Sequence, residues 1–312
     1  MNPMHILVTG GAGYIGSILV NELLKNGHKV KVYDSLRFGG NSLLPMFQYP
    51  HFSFVKGDIR DTALLEEHVK NTDAIIHLAA IVGYPACKKY PDLAKSVNVD
   101  ATIALMKMLS KDQLVLYAST GSNYGAVPNG ICTEETPLSP VSLYGETKTQ
   151  AEQVILQHQN SVAYRFATAF GLSPRMRLDL LINDFVYKAL TQKYIVVYES
   201  HFMRTFIHVR DIVRAFSFAL ENISRMKGQT YTVGHESMNY TKKEICEMIA
   251  RKIEYYLHLA DIGNDEDKRN YRVSYQKIAA HGFQVSVSME QGIDELVRGI
   301  QALEIKEPYA NL

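Results

Sequence analysis

Tyr144 and Lys148 stand four residues apart in the run Tyr-Gly-Glu-Thr-Lys. On a helix that spacing puts the phenol and the ammonium on one face. A neighbouring ammonium favours phenolate, so the pair has the makings of a general base. Tyr and Lys also meet at this spacing on ordinary helices, so the surroundings decide. Just upstream, a strand expected over 114–118 runs into Ser119-Thr120-Gly121-Ser122. A small hydroxyl at the carboxyl edge of a sheet can bind the same substrate oxygen as the tyrosine. The other chemistry-bearing stretch is Gly10-Gly11-Ala12-Gly13-Tyr14-Ile15-Gly16. Ile6, Leu7 and Val8 before it read as a strand buried on both faces. Ile15, Ile18, Leu19 and Leu23 recur at helical spacing, so a helix is expected to begin near Tyr14.

Strand, glycine turn and helix together form the context of a dinucleotide site. Gly10 permits a tight turn, Gly13 leaves room for main chain to approach a pyrophosphate, and Gly16 lets the helix lie close on the strand. The helix N-terminus then offers its N–H groups to the anion. The spacing is Gly-x-x-Gly-x-x-Gly, not the commoner Gly-x-Gly-x-x-Gly. Asp34 ends a second apolar strand, 29–33, and lies 18 positions after Gly16. Its carboxylate can accept both hydroxyls of an adenosine ribose and repels a 2′-phosphate, which favours NAD over NADP. Arg37, close by, pulls the other way.

These residues need elements to position them. Strands are expected at 53–56, 74–78, 114–118 and 162–166, and helices around Leu64, Leu65 and Val69, over 91–109 and over 142–158. The alternation implies an α/β fold, a Rossmann-type doubly wound parallel sheet with ligands at the carboxyl ends of its strands. After about Gly171 the rhythm breaks, as where a smaller C-terminal α/β substrate domain is interwoven with the first. The expected boundaries are 1–170 for the dinucleotide-binding domain, with 205–235 folding back onto it, and 171–312 for the smaller one. Within the latter, 180–190 and 211–222 read as helices, 204–209 as extended, and 230–233 as a strand. Thr241 with Glu244 and Ser288 with Gln291 cap two more helices. The polar stretch 256–271 is expected to be a loop.

With 312 residues, 46% apolar and 21% charged, the chain has ample material for a globular core. A net charge of +1 provides no field to attract nucleic acid or an acidic membrane. Cys87, Cys132 and Cys246 are scattered and lack metal spacing, so free thiols and no metal are expected. The start of the chain lacks the pattern of a signal peptide, and no apolar run approaches membrane length. The expectation is a cytoplasmic protein.

Several motifs together carry a resemblance. They are TGGAGYIG (9–16), GDIRD (57–61), HLAA (77–80), Asn98-Val99, the segment 119–125, PVSLYGETK (140–148), RTFIHVRD (204–211) and Tyr271-Arg272-Val273. The chain resembles, nearly end to end, the extended short-chain dehydrogenase/reductases of the nucleotide-sugar epimerase/dehydratase family. There is a faint likeness to bacterial GDP-sugar (heptose) enzymes of surface-polysaccharide synthesis. The resemblance implies NAD as cofactor and a nucleotide-diphosphate sugar as substrate. It implies Tyr144 as the base, Lys148 as the residue that orients it and binds the nicotinamide ribose, and Thr120 as the hydroxyl partner. Gly10, Gly13, Tyr14, Ile15, Gly16 and Asp34 would bind the cofactor, with Asp58 and Ile59 by the adenine and Leu78, Ala79, Ala80 and Asn98 along its length. Thr120, Ser122, Asn183, Arg204, Arg269 and Arg272 would contact the substrate, the arginines on its phosphates. His77 and His208 fall in motifs but read as structural.

The resemblance also implies the first step. Tyr144 takes the proton of the sugar 4-hydroxyl as hydride leaves carbon 4 for NAD, giving a 4-keto sugar. Family 4,6-dehydratases carry Asp-Glu after the threonine to eliminate water; here Gly121 and Ser122 stand there, which disfavours dehydration. The reaction expected is a 4-dehydrogenation or a 4-epimerisation. Thr168 and Ala101 depart from the family's usual Asn and Gly. A homodimer is implied through the 142–158 helix, with Ala151, Val154 and Ile155 offered. The rivals are an NADPH-dependent 4-keto-sugar reductase, a 4,6-dehydratase in which Glu134 or Glu135 swings in, and a non-catalytic NAD-sensing regulator. The intact Tyr–Lys pair speaks against the last.

Overall fold

A computed structural model describes residues 2–125, 127, 130–260, 271–303, 305, 309 and 311. Strands β1 (His5–Thr9), β2 (Lys29–Asp34), β3 (Phe52–Lys56), β4 (Ala74–His77) and β5 (Leu114–Thr120) open the chain. Then follow β6 (Ile131–Cys132), β7 (Ser161–Phe166), β8 (Thr168–Phe170), β9 (Tyr194–Tyr198), β10 (Met203–His208) and β11 (Gln229–Val233). The last strands are β12 (Asn239–Thr241), β13 (Tyr256–Ala260) and β14 (Arg272–Val273). Seven of them form one parallel sheet in the order β11-β7-β5-β4-β1-β2-β3. Its central strands are buried on both faces: Leu7, Val8, Ile75, Ile76, Val115 and Leu116 have no exposed surface. The chain order reverses between β1 and β4, so a crevice opens outside their carboxyl ends. That crevice is where the site lies.

The glycine helix runs Gly16–Lys25, with Ile15 as N-cap, and so begins two residues later than the apolar spacing suggested. The cause is packing. A Cβ on Gly16 would lie 2.4 Å from Gly10 O, so the helix can start close over β1 only with glycine there. Gly10 itself has φ +72° and faces the main chain of Ala79.

The expected helix over 91–109 is interrupted. Pro91–Lys95 and Ala101–Met108 are joined by a wide π turn, Ser96–Asp100. This turn holds Asn98. Its amide Nδ2 donates to Ile81 O at 3.0 Å and its Oδ1 accepts from Ile81 N at 2.8 Å. The loop leaving β4 is thereby clamped, in keeping with the frequent use of π turns near functional sites.

Beyond β7 a second apolar core gathers Phe170, Ile182, Val186, Phe206, Ile245 and Ile293. Both capping boxes are present, at Thr241–Glu244 and Ser288–Gln291. The expected loop over 256–271 is corrected in its first part. Tyr256–Ala260 is a strand, parallel to β9, with Leu257 and Leu259 packed against the second core. Alternation over five residues was hidden by the charged stretch after it; 261–270 lie outside the described residues. The 142–158 helix runs Leu143–Ile155. Ala151 and Ile155 are fully buried against Val115, Tyr117 and Ala163 of their own sheet, so of the three residues expected on a subunit contact only Val154 keeps some exposure. No helix among the described residues is long and apolar enough to cross a membrane.

Candidate active site

A cleft of about 960 Å³ follows the carboxyl edge of the sheet. That is the upper end of the range for small-molecule sites. The glycine turn forms its floor, Gly10, Gly13, Tyr14, Ile15 and Gly16 all lining it. Asp34, at the end of β2, lines it too; Oδ2 accepts from Ala12 N at 3.0 Å and Oδ1 from Leu36 N at 2.8 Å. Burial pushes its carboxyl upward in pKa, opposed by those two bonds and by Arg175. Asp58 and Ile59 line the same end. Asp58 is paired with Arg60 at 2.7 Å, which holds its carboxyl below the usual range. Leu78, Ala79 and Ala80 continue the wall past β4. Small residues and main chain dominate this side, the surface that a dinucleotide needs for close approach.

At the far end, Thr120, Ser122, Tyr144 and Lys148 face the same cleft. Thr120 ends β5 and its Oγ1 accepts from Ser122 N at 3.1 Å, starting a tight turn that presents both hydroxyls. Ser142 caps the Tyr–Lys helix, accepting from Gly145 N at 3.2 Å. Lys148 is only 3% exposed, its ammonium 4.1 Å from the centroid of the Tyr117 ring. Burial pulls its pKa down to about 7, against the attraction of Glu152 one turn further on. Glu152 is the centre of a buried network. It accepts from Ser119 Oγ at 2.5 Å and Asn123 Nδ2 at 3.1 Å, and pairs with Arg165 at 2.6 Å. The helix that carries the pair is therefore fixed to the strands beneath it.

His77 is fully enclosed, bonded to Thr9 Oγ1 at 2.7 Å and Thr102 Oγ1 at 2.9 Å, and burial pushes it down to about 3. It is a neutral packing residue. His208 accepts from Arg210 N at 3.3 Å and approaches Glu295 at 3.5 Å, a partner that sequence spacing did not reveal. Burial lowers it to about 4.

Four expected substrate or cofactor residues do not line the cleft. Asn98 serves as the clamp described above, and also donates to Thr147 Oγ1 at 3.1 Å. Asn183 is buried, accepting from Gly171 N at 3.0 Å and donating to Arg177 O at 2.9 Å. Arg204, on β10, is 4% exposed, donates to Met203 O at 3.2 Å and lies over the Phe202 ring. Strand alternation turns its neighbour Thr205 to the cleft instead. Arg272 is exposed on β14, where its strand pairs with β6. Arg269 lies outside the described residues. The arginines that do line the cleft are Arg37, Arg60, Arg175 and Arg177. Arg175 and Arg177 went unread; a pair of arginines two apart, beginning four residues after Gly171, was the available signal. No group of His, Cys, Asp and Glu suited to a metal occurs among the described residues.

Residues 6–234 match the model of the NAD dependent epimerase/dehydratase family. The chain belongs to that family. Its relatives include a dTDP-glucose 4,6-dehydratase of an Actinoplanes species, 31% identical over 96% of this chain and 98% of that protein. Another is the UDP-glucose 4-epimerase of Lactobacillus helveticus, 28% identical over 80% of this chain and 82% of its own. Among solved structures, the dTDP-glucose 4,6-dehydratase of Bacillus anthracis in complex with NAD superposes with a TM-score of 0.84 at 27% identity, covering 98% of both chains. The UDP-glucuronic acid 4-epimerase of Bacillus cereus, with 24% identity and a TM-score of 0.86, shares the fold over 96% of this chain and all of that one. The chain is thus an NAD-dependent nucleotide-sugar enzyme of the epimerase/dehydratase family. The glycine cradle fits that cofactor: at Gly10 and Gly16 an added Cβ would collide with main chain that the turn brings within 3 Å.

Proposed function

We propose that this enzyme oxidises carbon 4 of a nucleotide-linked sugar, as a 4-dehydrogenase or a 4-epimerase, and does not remove water from it. Tyr144 takes the proton of the 4-hydroxyl, helped by Lys148 on the same helix face, while Thr120 holds the oxygen being oxidised. NAD, when bound, supplies the hydride acceptor. Elimination of water across carbons 5 and 6 needs a second base and an acid, and the observation that carries the reading is where the carboxylates are. Gly121 has no side chain, and Ser122 carries a hydroxyl in place of a carboxylate. Glu134, a loop residue weighed as a substitute, accepts from both Thr232 N and Thr232 Oγ1 at 2.7 Å, outside the cleft. Glu152 is committed to Arg165 beneath the sheet edge. Tyr271 donates to Gly121 O at 2.6 Å and fills the space beside it.

The likeness to dehydratases and epimerases alike does not choose between reactions; these residues support the reading without loss of water. Cytoplasmic synthesis of surface-polysaccharide sugars is the setting that the motif resemblance suggests, with a GDP-linked sugar the first substrate to try. The test is to incubate the enzyme with a panel of GDP-, UDP-, dTDP- and CDP-sugars and read products by mass and NMR. The expected product keeps its 6-hydroxyl, emerging as the 4-epimer at unchanged mass or as the 4-keto sugar lighter by two hydrogens. A product lighter by one water from any efficiently used substrate overturns the reading.

A further inference from the structure

Three segments distant in sequence meet over the end of the cleft that holds Asp34. The Arg175 guanidinium carbon lies 4.5 Å from the centroid of the Phe38 ring. Arg37 approaches the same ring at 5.7 Å and the Tyr90 ring at 5.2 Å. All four residues line the cleft. The result is a row, arginine, phenylalanine, arginine, tyrosine, running from one lip to the other. Phe38 is 43% and Tyr90 38% exposed, apolar surface that is not needed to fill the core.

The row is braced from outside. Arg175 donates to Met176 O at 2.5 Å and to Asn311 Oδ1 at 2.6 Å. Asn311 in turn donates to Asp179 Oδ1, the carboxylate paired with Arg177. The loop carrying Arg175 is tied to the glycine turn. Ser173 Oγ donates to Tyr14 O at 2.7 Å, and Tyr14 Oη donates to Gly171 O at 2.7 Å. The glycine turn therefore lines the cleft while its own contacts hold the loop that carries the arginine.

We propose that Arg175, Phe38, Arg37 and Tyr90 form a clasp that closes over the adenosine half of the bound dinucleotide and sets how fast it leaves. A guanidinium can stack on an aromatic face and still direct N–H groups at a ribose or phosphate oxygen, which suits this place between Asp34 and the turn. The inference rests on NAD as the cofactor and is independent of which sugar reaction follows.

The test is the release of NADH from the whole enzyme, followed by its fluorescence in a stopped-flow instrument with excess NAD as competitor and no sugar present. Arg175→Ala should speed release by about tenfold or more, the scale of a desolvated cation–π contact. Phe38→Ala should do the same from the opposite lip, and its exposure makes it safe for folding. Because both remove one stack, the double variant should release little faster than either alone. Arg175→Lys, which keeps the charge but loses the planar face, should fall between wild type and alanine. Unchanged release in Phe38→Ala overturns the clasp. So does a fall in the melting temperature of the cofactor-free protein, in either variant, without faster release.

Discussion

On one wall of the cleft Gly10, Gly13 and Gly16 present main chain; on the other Thr120, Tyr144 and Lys148 present functional groups. The first wall depends on the absence of atoms. Its selectivity comes from close approach, and a surplus methyl spoils it as surely as a wrong charge. The second depends on single atoms kept in place by a buried network, Glu152 with Arg165, Ser119 and Asn123. The contrast teaches that changes of a single heavy atom should damage the two walls in different currencies: turnover on one, binding and stability on the other.

The largest expected effect is on the side-chain wall. Tyr144→Phe keeps the ring and removes the proton acceptor, so turnover should fall by roughly a hundredfold to ten-thousandfold. Affinity for NAD and the unfolding midpoint should hardly move. Near-normal turnover would break the comparison, because the phenol would then be only a wall.

On the main-chain wall, Gly16→Ala should behave in the opposite way. Its methyl would sit 2.4 Å from Gly10 O. Alanine usually favours a helix, yet here crowding should cost about 1–3 kcal/mol of unfolding free energy and weaken NAD binding. Denaturant melts and calorimetry read the two losses. Stability gained by Gly16→Ala would show that the turn has slack.

The smallest effect is a slope. Lys148 is pulled to about 7 by burial, so from about pH 7 up to the ordinary lysine value the unfolded chain holds a proton that the folded one lacks. Stability contributed by this residue should therefore rise with pH across that window, and Lys148→Met should lose the rise. Denaturant melts of the cofactor-free protein at about pH 7 and about pH 9 would detect it; parallel behaviour of the two proteins would remove the titrating group from the side-chain wall.

The two walls also differed in how plainly they could be read. A glycine turn, an acidic residue at the end of the next strand and a Tyr–Lys pair are local patterns, and each lines the cleft as its spacing required. The arginine pair at 175 and 177 was a signal, but where Arg175 lies was not legible, because its position depends on Ser173 meeting Tyr14 159 residues away. Arg204 stays out of the cleft lining for a simpler reason. It lies in a matching motif, but β10 alternates, and Thr205 faces the cleft. Asn98 was read as a cofactor residue when its amide serves Ile81, through a π turn that apolar spacing does not announce. The strand β13 was obscured by composition: its five residues alternate, but the charged stretch after them set the tone.

The pair beneath the catalytic helix has a consequence for ancestry. Glu152 and Arg165 have side chains only 2% and 7% exposed. Losing either one leaves a buried charge stranded at a cost of about 3–5 kcal/mol, whereas exchanging both for apolar residues of similar volume can be nearly neutral. Two substitutions must then arrive together, and each lone intermediate is a chain close to unfolding. Lineages descending from this protein should keep the pair long after the rest of the helix has drifted. Change on that helix is channelled to Glu146, Gln150 and Gln153, which point into solvent.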